Sequence, residues 1–157
     1  MFSLSSTAFK NGEAIPAKYT CDGSWNMNPP LEIHEIPGGT QSLVLILEDR
    51  DVSKEVKPEG MFEHWVLFNI PPFIQKIPEG ESSGLQGMND YGEHGYTGPC
   101  PPPHQEPTTH RYFFRLYALD VELALPYGVS KKEVLAAMEG HMIAETELMG
   151  TYKKLVH

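Results

Sequence analysis

The sequence predicts a mainly β fold, an antiparallel β-sandwich of short strands closed by one or two C-terminal α-helices, and three features carry that expectation. Fourteen prolines and fourteen glycines punctuate 157 residues every few positions, a spacing that suits short strands better than long helices. The runs "SLVLILED" (42–49) and "HWVLFNI" (64–70) are almost unbroken apolar stretches, as strands buried on both faces are. A third run, 110–119, alternates.

In chain order, the first apolar run stops at acids, Glu48 and Asp49, and a polar stretch from Arg50 to Glu63 follows. The second begins at His64 and ends at Pro71-Pro72, where the missing N–H groups end any ladder. Residues 79–95 are polar and glycine-rich and read as a long loop, a kind of segment that is usually functional or mobile. Gly98 to Pro103, "GPCPPP", can form neither ladder nor helix and must be a stiff, irregular loop. In the strand after it, His110, Tyr112, Phe114, Leu116 and Ala118 share one face, and Arg111, Phe113, Arg115 and Tyr117 share the other. Beyond it, Ser130 and Glu133 stand at capping-box spacing, and Val134, Met138, Met142, Glu145, Met149 and Tyr152 follow a near-helical stripe that Gly140 divides into two shorter helices.

A chain of this length with 40% apolar residues supports one sizeable core, so a single domain over 1–157 is expected. The formal charge of −9 and the lack of a basic run argue against nucleic acid and anionic membrane surfaces as partners. The first sixteen residues lack a basic segment followed by an apolar one, and no stretch approaches the ~20 apolar residues of a membrane span, so a soluble cytoplasmic protein is expected. In that compartment Cys21 and Cys100 are expected as reduced thiols, and a bond between them stays open because their separation in the fold is not readable from the sequence.

Polar residues at the ends of buried strands are where a β scaffold places chemistry, because the strand fixes position while the loop end stays accessible. Asp49 and Asp51 follow the first strand, His64 opens the second, and His110 with Tyr112 opens the third directly after the proline loop. Each has a plain structural reading: turn acids, a hydrogen-bonded core histidine, a packing tyrosine. Together they would enclose a pocket. No GxSxG elbow supports a serine hydrolase, a Cys100–histidine thiolate pair lacks any signature, and the histidines and aspartates have metal-compatible types without metal-site spacing. No cofactor and no enzymatic activity are expected, the lesser alternative being a weak hydrolase that uses Cys100 or a bound metal. Imidazolium donors, a tyrosine hydroxyl and backbone N–H groups at Gly98 suit an anion. Asp49 would repel one unless it carries a proton or faces a cationic group on the same ligand, as in a zwitterionic head group.

"EDRDV" followed by "HW", then "GYTGPCPPP" and "HRYFFRLYALD", resemble the phosphatidylethanolamine-binding protein family, also called Raf kinase inhibitor-like proteins. "YTCDGSWNMNPPL" and "GHMIAETELMGTY" are similar to its bacterial and archaeal branch, and the resemblance runs from Phe2 to Tyr152. It implies a Greek-key sandwich with an anion pocket at one end of the sheet, formed by Asp49, His64, Gly98, Pro99, His110 and Tyr112, with Asp51 orienting the loop. Where the family has DPDAP, this chain has Asp49-Arg50-Asp51-Val52-Ser53, which keeps both acids, loses both prolines and brings a cation near the mouth. The partners implied are a phosphate-bearing small molecule or phospholipid head group, a kinase or protease held through the surface around residues 79–106, and a second copy of the chain in a homodimer.

Overall fold

The computed structural model describes residues 1–156 and arranges their strands in two antiparallel sheets. The smaller has the order β1 (Ser3–Ser5), β2 (Leu31–His34), β5 (Lys76–Ile77). The larger has the order β6 (Leu85–Gln86), β4 (Phe62–Ile70), β3 (Ser42–Asp49), β7 (Thr109–Leu119), β8 (Met142–Lys153). One helix, α1 (Lys131–Met138), packs on the far side of the larger sheet.

This layering explains why β3 has no exposed residue. Its odd-numbered side chains, Leu43, Leu45 and Leu47, pack toward the small sheet against Leu4, Leu31, Ile33 and Ile77. Its even-numbered ones, Val44 and Ile46, join Val66, Phe68, Val134 and Met138 beneath α1. Each such aliphatic side chain contributes roughly 1.5–3 kcal/mol when fully buried, so a strand with two apolar faces belongs at the centre of the sheet. The alternation expected in β7 is present: Tyr112, Phe114, Leu116 and Ala118 enter the inter-sheet core, while Tyr117 faces the helix side.

Two expectations are corrected. The C-terminal stripe forms only one helix, capped as predicted by Ser130, whose Oγ accepts the Glu133 N–H at 3.2 Å. After a turn at Gly140, with φ of +79°, residues 142–153 are a strand. Its period-two signal was masked because one inward position is Gly150, where a Cβ would lie 2.6 Å from Ile15 and 2.8 Å from Phe9. The second correction concerns the cysteines. Cys21 and Cys100 form a disulfide with a Cα–Cα distance of 5.4 Å, because the chain path sets the turn after the 3-10 segment Ala17–Tyr19 beside the proline loop.

The register of β3 against β4 shifts twice, between Leu43 and Leu45 and again between Leu47 and Glu48, and the second shift bears on the site. Leu47 pairs with Trp65 and Glu48 with Glu63, so His64 is an extra residue on β4, a β-bulge. Bulges re-aim side chains. Here the extra residue puts Trp65 and His64, consecutive in sequence, both on the inter-sheet side, and turns Glu63 to Lys131 of the helix layer.

Candidate functional site

The ends of β3, β4 and β7 meet at one end of the inter-sheet core, because register places Asp49 opposite Phe62 on one side and Tyr112 on the other. A cavity of about 220 Å³ opens there. Asp49, Asp51, His64 and His110 line it, with apolar walls from Val52, Val56, Phe62, Tyr91, Pro101 and Pro102.

His110 is the most strongly held member. Its Nδ1 lies 2.6 Å from Asp49 Oδ2, and both side chains are about 5% exposed. Burial disfavours the imidazolium, but the hydrogen bond to Asp49 and the charges of Asp49 and Asp51 outweigh it and raise the His110 pKa above the ordinary histidine value. His64 shows the opposite balance. Its burial lowers the pKa more than its neighbours restore it. Nδ1 sits 2.7 Å from the Thr97 carbonyl oxygen, which only accepts, so Nδ1–H donates and Nε2 keeps a lone pair on a residue that lines the cavity.

Tyr112 lies beneath this pair rather than in the cavity wall. Its ring centroid is 5.5 Å from that of His64 and 6.4 Å from that of His110. The side chain is fully buried, and no partner meets its hydroxyl in hydrogen-bonding geometry. Burial first, then the charge and the close approach of the Asp49 carboxylate, which lies near the hydroxyl but outside good hydrogen-bonding geometry, push its pKa up, so it remains a donor.

Gly98 and Pro99 depart from expectation. The Gly98 N–H donates to the Trp25 carbonyl at 2.7 Å and is therefore not free for an anion, while Trp25 Nε1–H returns a bond to the Gly98 carbonyl at 3.0 Å. The Pro99 carbonyl accepts the Cys21 N–H at 3.1 Å. Neither residue lines the cavity; the "GP" pair bolts the proline loop to residues 19–25. Asp51 holds the rim, as a bidentate partner of Arg111 at 2.9 Å with a further bond from the Arg111 backbone N–H. That hydrogen bonding keeps its pKa below the usual carboxylate value. Arg50 does not close the mouth: it stacks 3.9 Å over Phe113 and reaches Glu48, on the other side of the strand.

Sequence reading missed Phe62, Tyr91 and Glu106 as lining residues and Asn89 as a support. Asn89 donates to Gly95 and Thr97 and accepts two backbone N–H groups, fixing the turn that carries Tyr91. Phe62 could have been found by extending the β4 pattern two residues upstream; the others lie in loops without periodicity. Cys100 is tied in the disulfide and offers no thiol nucleophile. Among the described residues, the histidines and aspartates are not assembled as a group of three metal ligands.

The family model for phosphatidylethanolamine-binding protein matches residues 5–153. The chain belongs to the phosphatidylethanolamine-binding protein family. It is 46% identical over 152 residues to a UPF0098 protein of Chlamydia trachomatis, covering 96% of this chain and 98% of that one. A UPF0098 protein of the archaeon Methanothermobacter thermautotrophicus is 45% identical over 159 residues, with coverage of 97% and 99%. Among solved structures, a Chlamydia trachomatis homologue of phosphatidylethanolamine-binding proteins superposes with a TM-score of 0.91 at 45% identity, covering 98% of each chain. YbcL of E. coli, described as a new member of the mammalian family, superposes with a TM-score of 0.85 at 26% identity, covering 98% of this chain and 99% of its own. Among the described residues no helix is long and apolar enough to cross a membrane.

Proposed function

We propose that this family member is a non-enzymatic binding protein whose cavity takes a small ligand bearing both a phosphate monoester and an ammonium group, of the phosphoethanolamine type. The observation that carries the reading is the Asp49–His110 pair in the cavity wall, with the Tyr112 hydroxyl buried beneath it outside hydrogen-bonding geometry. A buried donor without a partner costs free energy that an incoming acceptor recovers. The charged His110 imidazole and the Tyr112 hydroxyl supply donors to a phosphate.

The remaining lining argues for the other half of the ligand. No lysine or arginine lines the cavity, whereas Asp49, Asp51 and Glu106 do, so a bare dianion is electrostatically mismatched. An ammonium group suits these acids and the Phe62 and Tyr91 ring faces, whose centroids lie 4.8 Å apart. The lone pair at His64 Nε2 requires a donor, which a singly protonated phosphate provides.

Calorimetric titration with phosphoethanolamine and with inorganic phosphate at pH 5.5 and 7.5 tests this. Phosphoethanolamine should bind more tightly than phosphate, and both more tightly at pH 5.5, where His110 is charged and a phosphate monoester, with its second pKa near ~6, keeps one proton. His110→Ala should weaken binding and leave only the pH dependence of the phosphate's own protonation, and it should lower the melting temperature because buried Asp49 loses its partner. Absence of binding heat and of thermal shift at both pH values would overturn the reading.

Trp25 and Tyr91, each about 40% exposed and packed edge to face at 5.8 Å beside the cavity, favour a second reading. In it, this rim meets a protein partner such as a kinase or protease, and pocket substitutions leave that contact intact.

A further inference from the structure

The Cys21–Cys100 disulfide is part of the cavity wall: Cys100 lines it, followed immediately by Pro101 and Pro102. The two ends of this bond sit in very different surroundings. On the Cys21 side, the next residue, Asp22, accepts hydrogen bonds from the Tyr152 hydroxyl, the Lys154 ammonium and the Leu155 N–H. Thr20 is fully buried, and the Tyr96 hydroxyl donates to the Tyr19 carbonyl. This is a rigid anchor. On the Cys100 side, residues 100–108 make no backbone–backbone hydrogen bond among the described residues until β7 begins at Thr109. Four prolines in that span have no N–H to give, yet it supplies Pro101, Pro102, Gln105 and Glu106 to the cavity.

We propose that this disulfide is a redox-modification site that sets the affinity of the cavity, with dithiols as the reacting class. The proposal rests on the cavity being the ligand site. Both cysteines are partly exposed, so a thiolate can reach a sulfur. The attacking thiolate forms a mixed disulfide with one cysteine and releases the other as thiolate. The second thiol of the reagent then closes its own disulfide and frees the first cysteine, so two electrons and two protons pass from the dithiol to the protein sulfurs. Reduction leaves the hydrogen bonds between residues 19–25 and 96–99 in place, so the molecule keeps its fold. It removes the covalent tie of the wall between the anchor at Pro99 and the start of β7 at Thr109.

A pre-ordered wall binds more tightly than one that must be ordered by the ligand. Linkage makes the effect reciprocal: whatever factor reduction costs the ligand, the ligand costs reduction.

The experiment compares the oxidised protein, the protein held in dithiothreitol, and the Cys21→Ser/Cys100→Ser variant at pH 7. Three quantities are read: phosphoethanolamine affinity, the rate at which dithiothreitol exposes thiols with and without phosphoethanolamine, and the imidazole resonances of His64, His110 and His141. Affinity should fall about fivefold in both disulfide-free forms, phosphoethanolamine should slow reduction, and the ligand-free His64 and His110 resonances should move. His141, beyond the opposite end of β7, should not. Affinity equal within about twofold, or unmoved His64 and His110 resonances, overturns the proposal. Movement of His141 as well would show global loosening and also overturn it. If phosphoethanolamine binds none of the forms, the ligand assignment above fails separately, and the resonances alone decide the redox site.

Discussion

Tyr112→Phe deletes a hydroxyl that the free protein buries without a partner. Such a group costs about 1–3 kcal/mol, so the variant should unfold at equal or higher urea concentration than the parent, by up to roughly 1 kcal/mol. Calorimetry should show phosphoethanolamine binding weakened about tenfold, the usual worth of a hydrogen bond to a charged group. A stability loss with unchanged affinity would make Tyr112 a packing residue only. His64 and His110 look equivalent in the sequence as histidines at strand starts. They differ through partners that the sequence does not display: a carbonyl from residue 97 for one and the carboxylate of Asp49 for the other. The identities of these residues were therefore legible, and their protonation behaviour was not.

Glycine and carboxylate positions show how the elements are joined. Gly98 admits no side chain, since a Cβ there would lie 2.0 Å from the Tyr19 carbonyl oxygen. Gly98→Ala should cost about 3 kcal/mol or more in a urea unfolding experiment, because backbone rather than a flexible side chain is in the way. Helix α1 is fastened to the sheet by Lys131, 2.7 Å from Glu63 and 3.3 Å from Glu48. Burial raises the Glu63 pKa to about 7 despite that ammonium, with Glu48 and Asp90 adding repulsion. A carboxyl that holds its proton more tightly when folded stabilises most below its unfolded pKa, near ~4.3, and loses that contribution as pH rises through 7. Stability should fall by roughly 2–3 kcal/mol between about pH 5 and 8, and Glu63→Gln should flatten that fall. The raised pKa of His110 acts with the same sign. Thermal unfolding across pH for both proteins checks the slope. At this scale the long central strands were readable from apolar runs alone. The bulge at His64 and the strand after Gly140 were not, since one depends on the partner strand's register and the other hides its alternation behind a glycine.

At the scale of the whole molecule, two sheets and one helix layer enclose two cores that share the larger sheet, and the outer margin of that sheet is β8. The N-terminal segment covers part of this margin: Gly12 donates to Met149, Ile15 to Thr151, and the Thr151 N–H returns a bond to Glu13. Among the described residues, nothing equivalent covers Met142–Glu147, where Glu145 and Glu147 are exposed. An uncovered strand is a template for strand addition from another chain, and like charges are a common deterrent. The first fifteen residues thus serve twice, giving Leu4, Phe9 and Ile15 to the core and closing Met149–Thr151 of an edge that stays open at Met142–Glu147. The full chain carrying Glu145→Gln and Glu147→Gln should scatter light increasingly with time at neutral pH, because the charges that keep a second strand away from this edge are gone.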